Sequence, residues 1–165
     1  HDGTSVGEVV VRADNVMAGY WKLPEETATV MRSGWFHTGD MATVDQHGYF
    51  LIVDRKKDII ISGGENIASI EVEKAVYSHR AVFECAVVAV PDDRWGEVPK
   101  ALVVVKPGES LSEQEVIDHC RTKLPGFKVP KSVEFFDALP KGGTGKILKK
   151  ELREKDWAGY EKRVH

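Results

Sequence analysis

FECAVVAVPDDRWGEVPKALVVVKPGESLSEQEVIDHCRTKLPG, residues 83–126, decides the fold. Its two apolar runs, FECAVVAV and KALVVVK, are continuous rather than alternating and are bounded by PDD and PGES, which suits strands covered by helices. Beyond them Ser112 and Glu115 have the spacing of a capping box. Val116, Ile117, Cys120 and Leu124 then recur at helical spacing until Pro125-Gly126 ends the helix. Between the two runs, DDRWGEVP reads as a loop with one exposed aromatic, Trp95.

Upstream, SIEVEKAVYSH (69–79) predicts a helix capped by Ser69, with Glu71 in its first turn and Val72, Ala75 and Val76 on one face. Downstream, SVEFF (132–136) reads as a strand and KILKKELREKDW (146–157) as a last helix. The order after residue 58 is β, α, β, β, α, β, α: a small α+β domain with an antiparallel or mixed sheet and three helices. The start of the chain differs. GEVVVRA (7–13) is a strand, LPEETATVM (23–31) a short helix, and MATVDQHGYFLIVD (41–54) a hairpin turning at Asp45 to Gly48. This shift sets a boundary near Asp54 to Lys57, separating a β-rich piece, 1–54, from a domain at 55–165.

The composition excludes several classes. A net charge of −3 and a pI near 6.1 give no global attraction for nucleic acid or an anionic membrane. No apolar run approaches the ~20 residues that span a bilayer, and HDGTSVGE lacks a signal-peptide layout. Cys85 and Cys120 form no C-x-x-C and no metal-ligand spacing, so a reduced, cytoplasmic setting and no metal site are expected. The six histidines form no metal-binding pair.

PKGGTGK (140–146) invites a phosphate-loop reading, which counting rejects. Pro140 stands where that motif needs its first glycine, and Ile147 where it needs a hydroxyl. What remains is either a flexible glycine loop, Gly142 to Gly145, that delivers the Lys146 ammonium to a target, or an ordinary loop with a solvated lysine. Residues 141–155 hold six basic and two acidic side chains without interleaved aromatics, which reads as a solvated helix face.

FHTGD (36–40), DRKKDIIISGGENI (54–67) and PKGGTGK occur in an order and spacing that resemble the carboxyl-terminal part of the adenylate-forming superfamily: acyl-CoA synthetases, adenylation domains of peptide synthetases, and luciferases. The SGGEN form resembles acyl-CoA ligases rather than luciferases. The resemblance implies an AMP-forming acid:CoA ligase using ATP, Mg2+ and coenzyme A on a small carboxylic acid. Delivery to a carrier-protein thiol, or a non-catalytic nucleotide or protein interaction module of the same fold, are the alternatives. Residue by residue, it implies Asp40 and Arg55 for the ATP ribose and Lys57 as the hinge. Lys146 falls to the substrate carboxylate and α-phosphate. Gly63, Gly64, Trp95, Phe127 and Lys128 fall to coenzyme A. The glycine pair is expected to let the pantetheine arm pass close to backbone, since a turn alone would need one glycine. The superfamily's phosphate loop, its Tyr-Gly-x-Thr-Glu segment and its acyl pocket do not occur here. The chain is therefore expected to be a piece working with a larger amino-terminal domain, its main partner.

Overall fold

The structure, a computed structural model, describes residues 1–160. The chain divides into two compact units, residues 1–57 and a second beginning at Asp58.

The first unit is an antiparallel sheet centred on β3 (Trp35–Val44). One side of β3 pairs with β1 (Gly7–Val11), and the other with β2 (Met31–Arg32) and then β4 (Phe50–Arg55). Asp45 makes the β3–β4 turn: its carboxylate accepts the backbone N–H of His47 (2.8 Å) and Tyr49 (3.0 Å). The short helix α1 (Pro24–Val30) opens with proline, whose fixed φ suits a first turn, and with Glu25 and Glu26 at the positive end of the helix dipole. Burial is sparse. Among residues 1–57 only Ala42, Thr43 and Asp54 are buried, whereas the consecutive Tyr49, Phe50, Leu51 and Ile52 are between 52% and 74% exposed.

The second unit is α+β. Its sheet holds β5 (Ile60–Ser62), β6 (Glu65–Ile67), β7 (Val82–Asp92), β8 (Gly96–Val105) and β9 (Ser132–Phe135), antiparallel except for the β8–β9 pair. β7 and β8 form one long hairpin in which alternate residues serve two cores. Val87, Ala89, Ala101 and Val103 face helices α2 (Ser69–Tyr77) and α3 (Glu113–Arg121). Ala86, Val88, Leu102 and Val104 join Leu139 and, from α4 (Lys149–Glu154), Leu152. Covering both faces is what makes these runs continuously apolar. The connecting loop is shorter than the sequence suggests, because pairing extends to Asp92↔Gly96; Asp92 accepts the N–H groups of Arg94 and Trp95.

Helix α3 carries the full capping box between Ser112 and Glu115. Helix α2 does not start as expected. Ala68 is its N-cap, and Ser69, fully buried in the first turn, instead accepts a hydrogen bond from Lys149 Nζ (2.7 Å). The last helix is likewise shorter than its pattern, because Ile147 bridges to Lys141 before the helix begins.

β7 is the outermost strand of the sheet, and both flanking helices reach it. From α2, Glu73 Oε1 accepts the Val87 N–H (2.8 Å); after α4, Trp157 Nε1 donates to the Ala89 carbonyl (2.9 Å). Lys100, mostly buried on β8, reaches Glu134 (2.8 Å) and Asp156 (2.9 Å), fastening the segment after α4 to the sheet.

Candidate active site

In the first unit the structure brings Asp40 and Arg55 together. They are register partners on β3 and β4, and Arg55 Nε meets Asp40 Oδ1 at 2.6 Å with both side chains part-exposed. A bulge sets this up: between the pairs Glu8↔Met41 and Val10↔His37, β3 carries two extra residues, with Gly39 at φ +73°. Thr38 Oγ1 donates to the Val9 carbonyl (2.8 Å) and accepts from Asp40 N (3.0 Å), so the bulge fixes the carboxylate's base. Nearby, burial raises the pKa of Glu8, but hydrogen bonds from His37 (3.1 Å) and Lys56 (3.0 Å) outweigh it and hold the carboxyl below its ordinary value.

Lys57 lies, exposed, in a single 3-10 turn (Lys56–Asp58) between β4 and β5, and the division between the two units falls directly after it.

Gly63 and Gly64 form the two-residue turn of the β5–β6 hairpin, with φ of +58° and +88°. A two-residue turn of this kind, type I′, needs positive φ at both central positions. The turn alone therefore accounts for two glycines, and the expectation that it would need only one is corrected. Gly63 meets a second demand. Its N–H donates to the Trp95 carbonyl (2.8 Å), and a Cβ there would lie 2.7 Å from the Trp95 ring; a Cβ on Gly64 would meet nothing within 4 Å.

Against this turn lies a groove of about 420 Å³ lined by Ser62, Gly63, Glu65, Trp95, Gly126, Phe127 and Lys131. It unites three residues expected from the sequence, Gly63, Trp95 and Phe127. Trp95 is 43% exposed with the Arg94 guanidinium stacked at 4.6 Å, and Phe127 is 42% exposed. Lys128 does not line the groove; its Nζ is paired with Glu71 (2.7 Å) on α2. Lys131 supplies the cation there, fixed by its N–H on the Pro99 carbonyl (2.8 Å). No local pattern marks it, since its place depends on the docking of its backbone against β8.

The PKGGTGK loop is less free than its glycines suggest. Gly142 N–H donates to the Lys146 carbonyl and Gly145 N–H to the Gly142 carbonyl (both 2.9 Å), with Gly145 at φ +78°, closing a hydrogen-bonded hairpin. The flexible-loop expectation is corrected to a folded loop carrying a projecting side chain. Its stems are tied down by Lys141 to Glu84 and Lys149 to Glu73, both at 2.7 Å. Farther along, Lys150 pairs with Glu154, Lys155 with Glu134, and Arg153 with Asp58 (3.4 Å). Among the described residues of 141–155, Lys146 is the one basic side chain without an acidic partner, and it is exposed. The run is thus a largely exposed face, as expected, on which five of the six basic side chains are ion-paired.

Neither thiol is in a disulfide; Cys120 is buried in the core, and Cys85 is partly buried at its edge. Burial pushes Cys85 up to about 12 and Cys120 up to about 11, so neither is a nucleophile near neutrality. Among the described residues there is no group of three or more metal-ligating side chains, and no helix long and apolar enough to cross a membrane.

A family model for the AMP-binding enzyme C-terminal domain matches residues 71–146. Feruloyl-CoA synthase from an Amycolatopsis species is 58% identical over 90% of this chain and 30% of its own length; the peroxisomal trans-cinnamate:CoA ligase of Petunia hybrida is 51% identical over 93% and 27%. Among solved structures, ATP-bound MatB from Rhodopseudomonas palustris superposes with a TM-score of 0.85 at 37% identity, covering 94% of this chain and 31% of that one. For o-succinylbenzoate CoA synthetase of Bacillus subtilis, in complex with its acyl-adenylate, the values are 0.83, 36%, 92% and 31%. The chain spans about 30% of the length of the curated relatives it matches. By its three motifs, its α+β second unit and these likenesses, the chain carries an AMP-binding enzyme C-terminal domain and is similar along most of its length to the C-terminal part of adenylate-forming enzymes.

Proposed function

We propose that this chain is the mobile, carboxyl-terminal part of an ATP-dependent acid:CoA ligase. In the first half-reaction a carboxylate attacks the α-phosphorus of ATP, the bond to pyrophosphate breaks, and acyl-AMP forms. In the second, the coenzyme A thiol displaces AMP to give the thioester. Asp40 accepts hydrogen bonds from the ribose hydroxyls, with Arg55, 2.6 Å away, orienting the carboxylate and reaching the same sugar. Lys146 supplies positive charge at the substrate carboxylate and α-phosphate, where negative charge gathers as the bond changes occur. Rotation about Lys57 then withdraws Lys146 and presents the Gly63–Gly64 turn, whose groove takes coenzyme A against Trp95 and Phe127. Lys131, in the groove, is the cation placed for the coenzyme's phosphates; Lys128, held by Glu71, steadies the groove's rim.

The observation that carries this reading is the unpaired Lys146, projecting from a hydrogen-bonded loop while its five basic neighbours are tied to acids. A folded loop with one uncommitted ammonium is what delivery of charge to a bound substrate requires. Mg2+, which would accompany ATP, is assigned mainly to the larger domain. The exposed Tyr49 to Ile52 stretch supports a first unit that completes such a domain. Coenzyme A, rather than a carrier-protein thiol, is supported by relatives named as CoA synthase and CoA ligase. The two free thiols suit a reducing compartment such as the cytoplasm.

The test is Lys146→Ala in the full-length protein, with the half-reactions measured separately. Acyl-AMP formation, followed by ATP–pyrophosphate exchange, should fall by ~10²-fold or more, the scale of losing one charge-stabilising donor. Thioester formation from supplied acyl-AMP should change far less. Equal losses in both would overturn the role.

A further inference from the structure

Glu97 is fully buried on β8, two residues beyond Trp95. A carboxylate in such a place is costly unless it is hydrogen-bonded. Its Oε2 accepts the backbone N–H of Ile61 at 3.0 Å.

That bond lies beside a short stretch of strand pairing. β5 and β8 share one register pair, Ser62↔Gly96. On the turn side of this pair the main chain continues the attachment, Gly63 N–H donating to the Trp95 carbonyl. On the other side a side chain, the Glu97 carboxylate, takes the Ile61 N–H. The β5–β6 hairpin is therefore held to β8 on both sides of Ser62. The Trp95 ring packs so close to Gly63 that no Cβ would fit. Rocking about the Ser62 pair would alter this contact and with it the wall of the groove.

We propose that Glu97 is a positioning residue for the Gly63–Gly64 turn, setting the turn against Trp95 for the thiol-transfer half-reaction; this rests on the ligase reading above. Glu97 itself touches neither substrate nor coenzyme. It acts through the Ile61 N–H, and the length of its side chain matters more than its charge.

Two variants separate these properties. Glu97→Asp keeps the charge but is one methylene short; Glu97→Gln keeps the reach, and its amide oxygen can accept the same N–H. In the 165-residue chain, hydrogen exchange at Ile61 and Gly63 should accelerate at least ~10-fold in Glu97→Asp, the scale of one lost bond to a charged acceptor. Exchange at Val87 and Leu102 in the core should stay unchanged. In the full-length protein Glu97→Asp should lower kcat/KM for coenzyme A by a similar factor and leave ATP–pyrophosphate exchange within about twofold. Glu97→Gln should stay near wild type in both assays.

Acceleration throughout the second unit, or equal behaviour of the two variants, would overturn the proposal in favour of a general scaffold role. Local acceleration with unchanged coenzyme A kinetics would overturn the link to thiol transfer. If the wild-type protein neither exchanges pyrophosphate nor forms thioester, the ligase reading fails, and the exchange measurements still decide whether Glu97 positions the turn.

Discussion

The Gly63–Gly64 turn and the Gly142–Gly145 loop are both glycine-rich hairpin connections, yet glycine does opposite work in them. At Gly63 the missing side chain is itself the feature: positive φ and the Trp95 ring together leave no room for a Cβ. Around Gly142 to Gly145 the glycines close a hydrogen-bonded loop whose working part is the side chain that follows, Lys146. The first is pinned by Trp95, just before β8, and by Glu97 on it, the second at its stems by Glu84 and Glu73. Glycine content thus says that a backbone bends sharply, and only the neighbours say whether backbone or side chain is presented.

The sharpest way to break this comparison is to add a methyl group. Gly63→Ala and Gly64→Ala each place an L-residue at positive φ, at ~1–2 kcal/mol. Only the first also drives a Cβ into the Trp95 ring. Gly63→Ala should lower the Tm of the second unit clearly more than Gly64→Ala, each additional kcal/mol being worth ~4–8 °C in a unit of this size. Equal shifts would mean that the indole yields, and that Gly63 is a turn glycine only.

A smaller effect tests the stems. Lys149→Met removes a cation shared by Glu73 and Ser69 and should cost ~1–2 kcal/mol in a urea titration, below the value for a fully buried pair because both charged side chains are partly exposed. Lys146→Met should stay within about 0.5 kcal/mol, as for an exposed residue without partners. A comparable cost at Lys146 would show that its side chain supports the loop rather than projecting from it.

The smallest effect belongs to the contact between the end of α2 and α3. Ser78 Oγ donates to the Ala75 carbonyl, so it accepts from His119 Nε2 (2.9 Å), and His79 meets the His119 ring edge-on at 5.0 Å. Burial first, and then the His79 and Lys123 charges, hold the His119 pKa below its ordinary value. The fold therefore favours the neutral ring. Its contribution is present above pH 6.5 and declines as pH falls from there toward the lowered folded pKa. Tm should drop slightly between pH 7 and 5, and His119→Gln should flatten that slope; an unchanged slope would assign the acid sensitivity elsewhere.

Features specified by adjacent residues were legible in the sequence. The Ser112–Glu115 capping box and the Asp45 turn form from side chains bonding to backbone two to four residues away, and both stand as read. The unbroken apolar runs of β7 and β8 foretold cover on both faces. What escaped was non-local. Ser69 has the right chemistry for a cap, but Lys149, eighty residues later, claims its hydroxyl. The pairing of five basic side chains in 141–155 depends on acids from Asp58, Glu73, Glu84 and Glu134 as well as Glu154. Glu97 and Lys131 owe their places to pairing across the sheet, which no local spacing records.

The outward side of β7 has a further consequence. In an antiparallel strand residues two apart direct their main-chain groups the same way, so the Val87 N–H and the Ala89 carbonyl, occupied by Glu73 and Trp157, point away from β8 together with Pro91, which has no N–H to offer. These three positions are where an approaching strand from another molecule would find its partners. Helix packing on this margin thus doubles as protection against edge-to-edge self-association. A chain cut before Trp157 would uncover the Ala89 acceptor on the margin of an apolar strand, turning a folded domain into a template for aggregation.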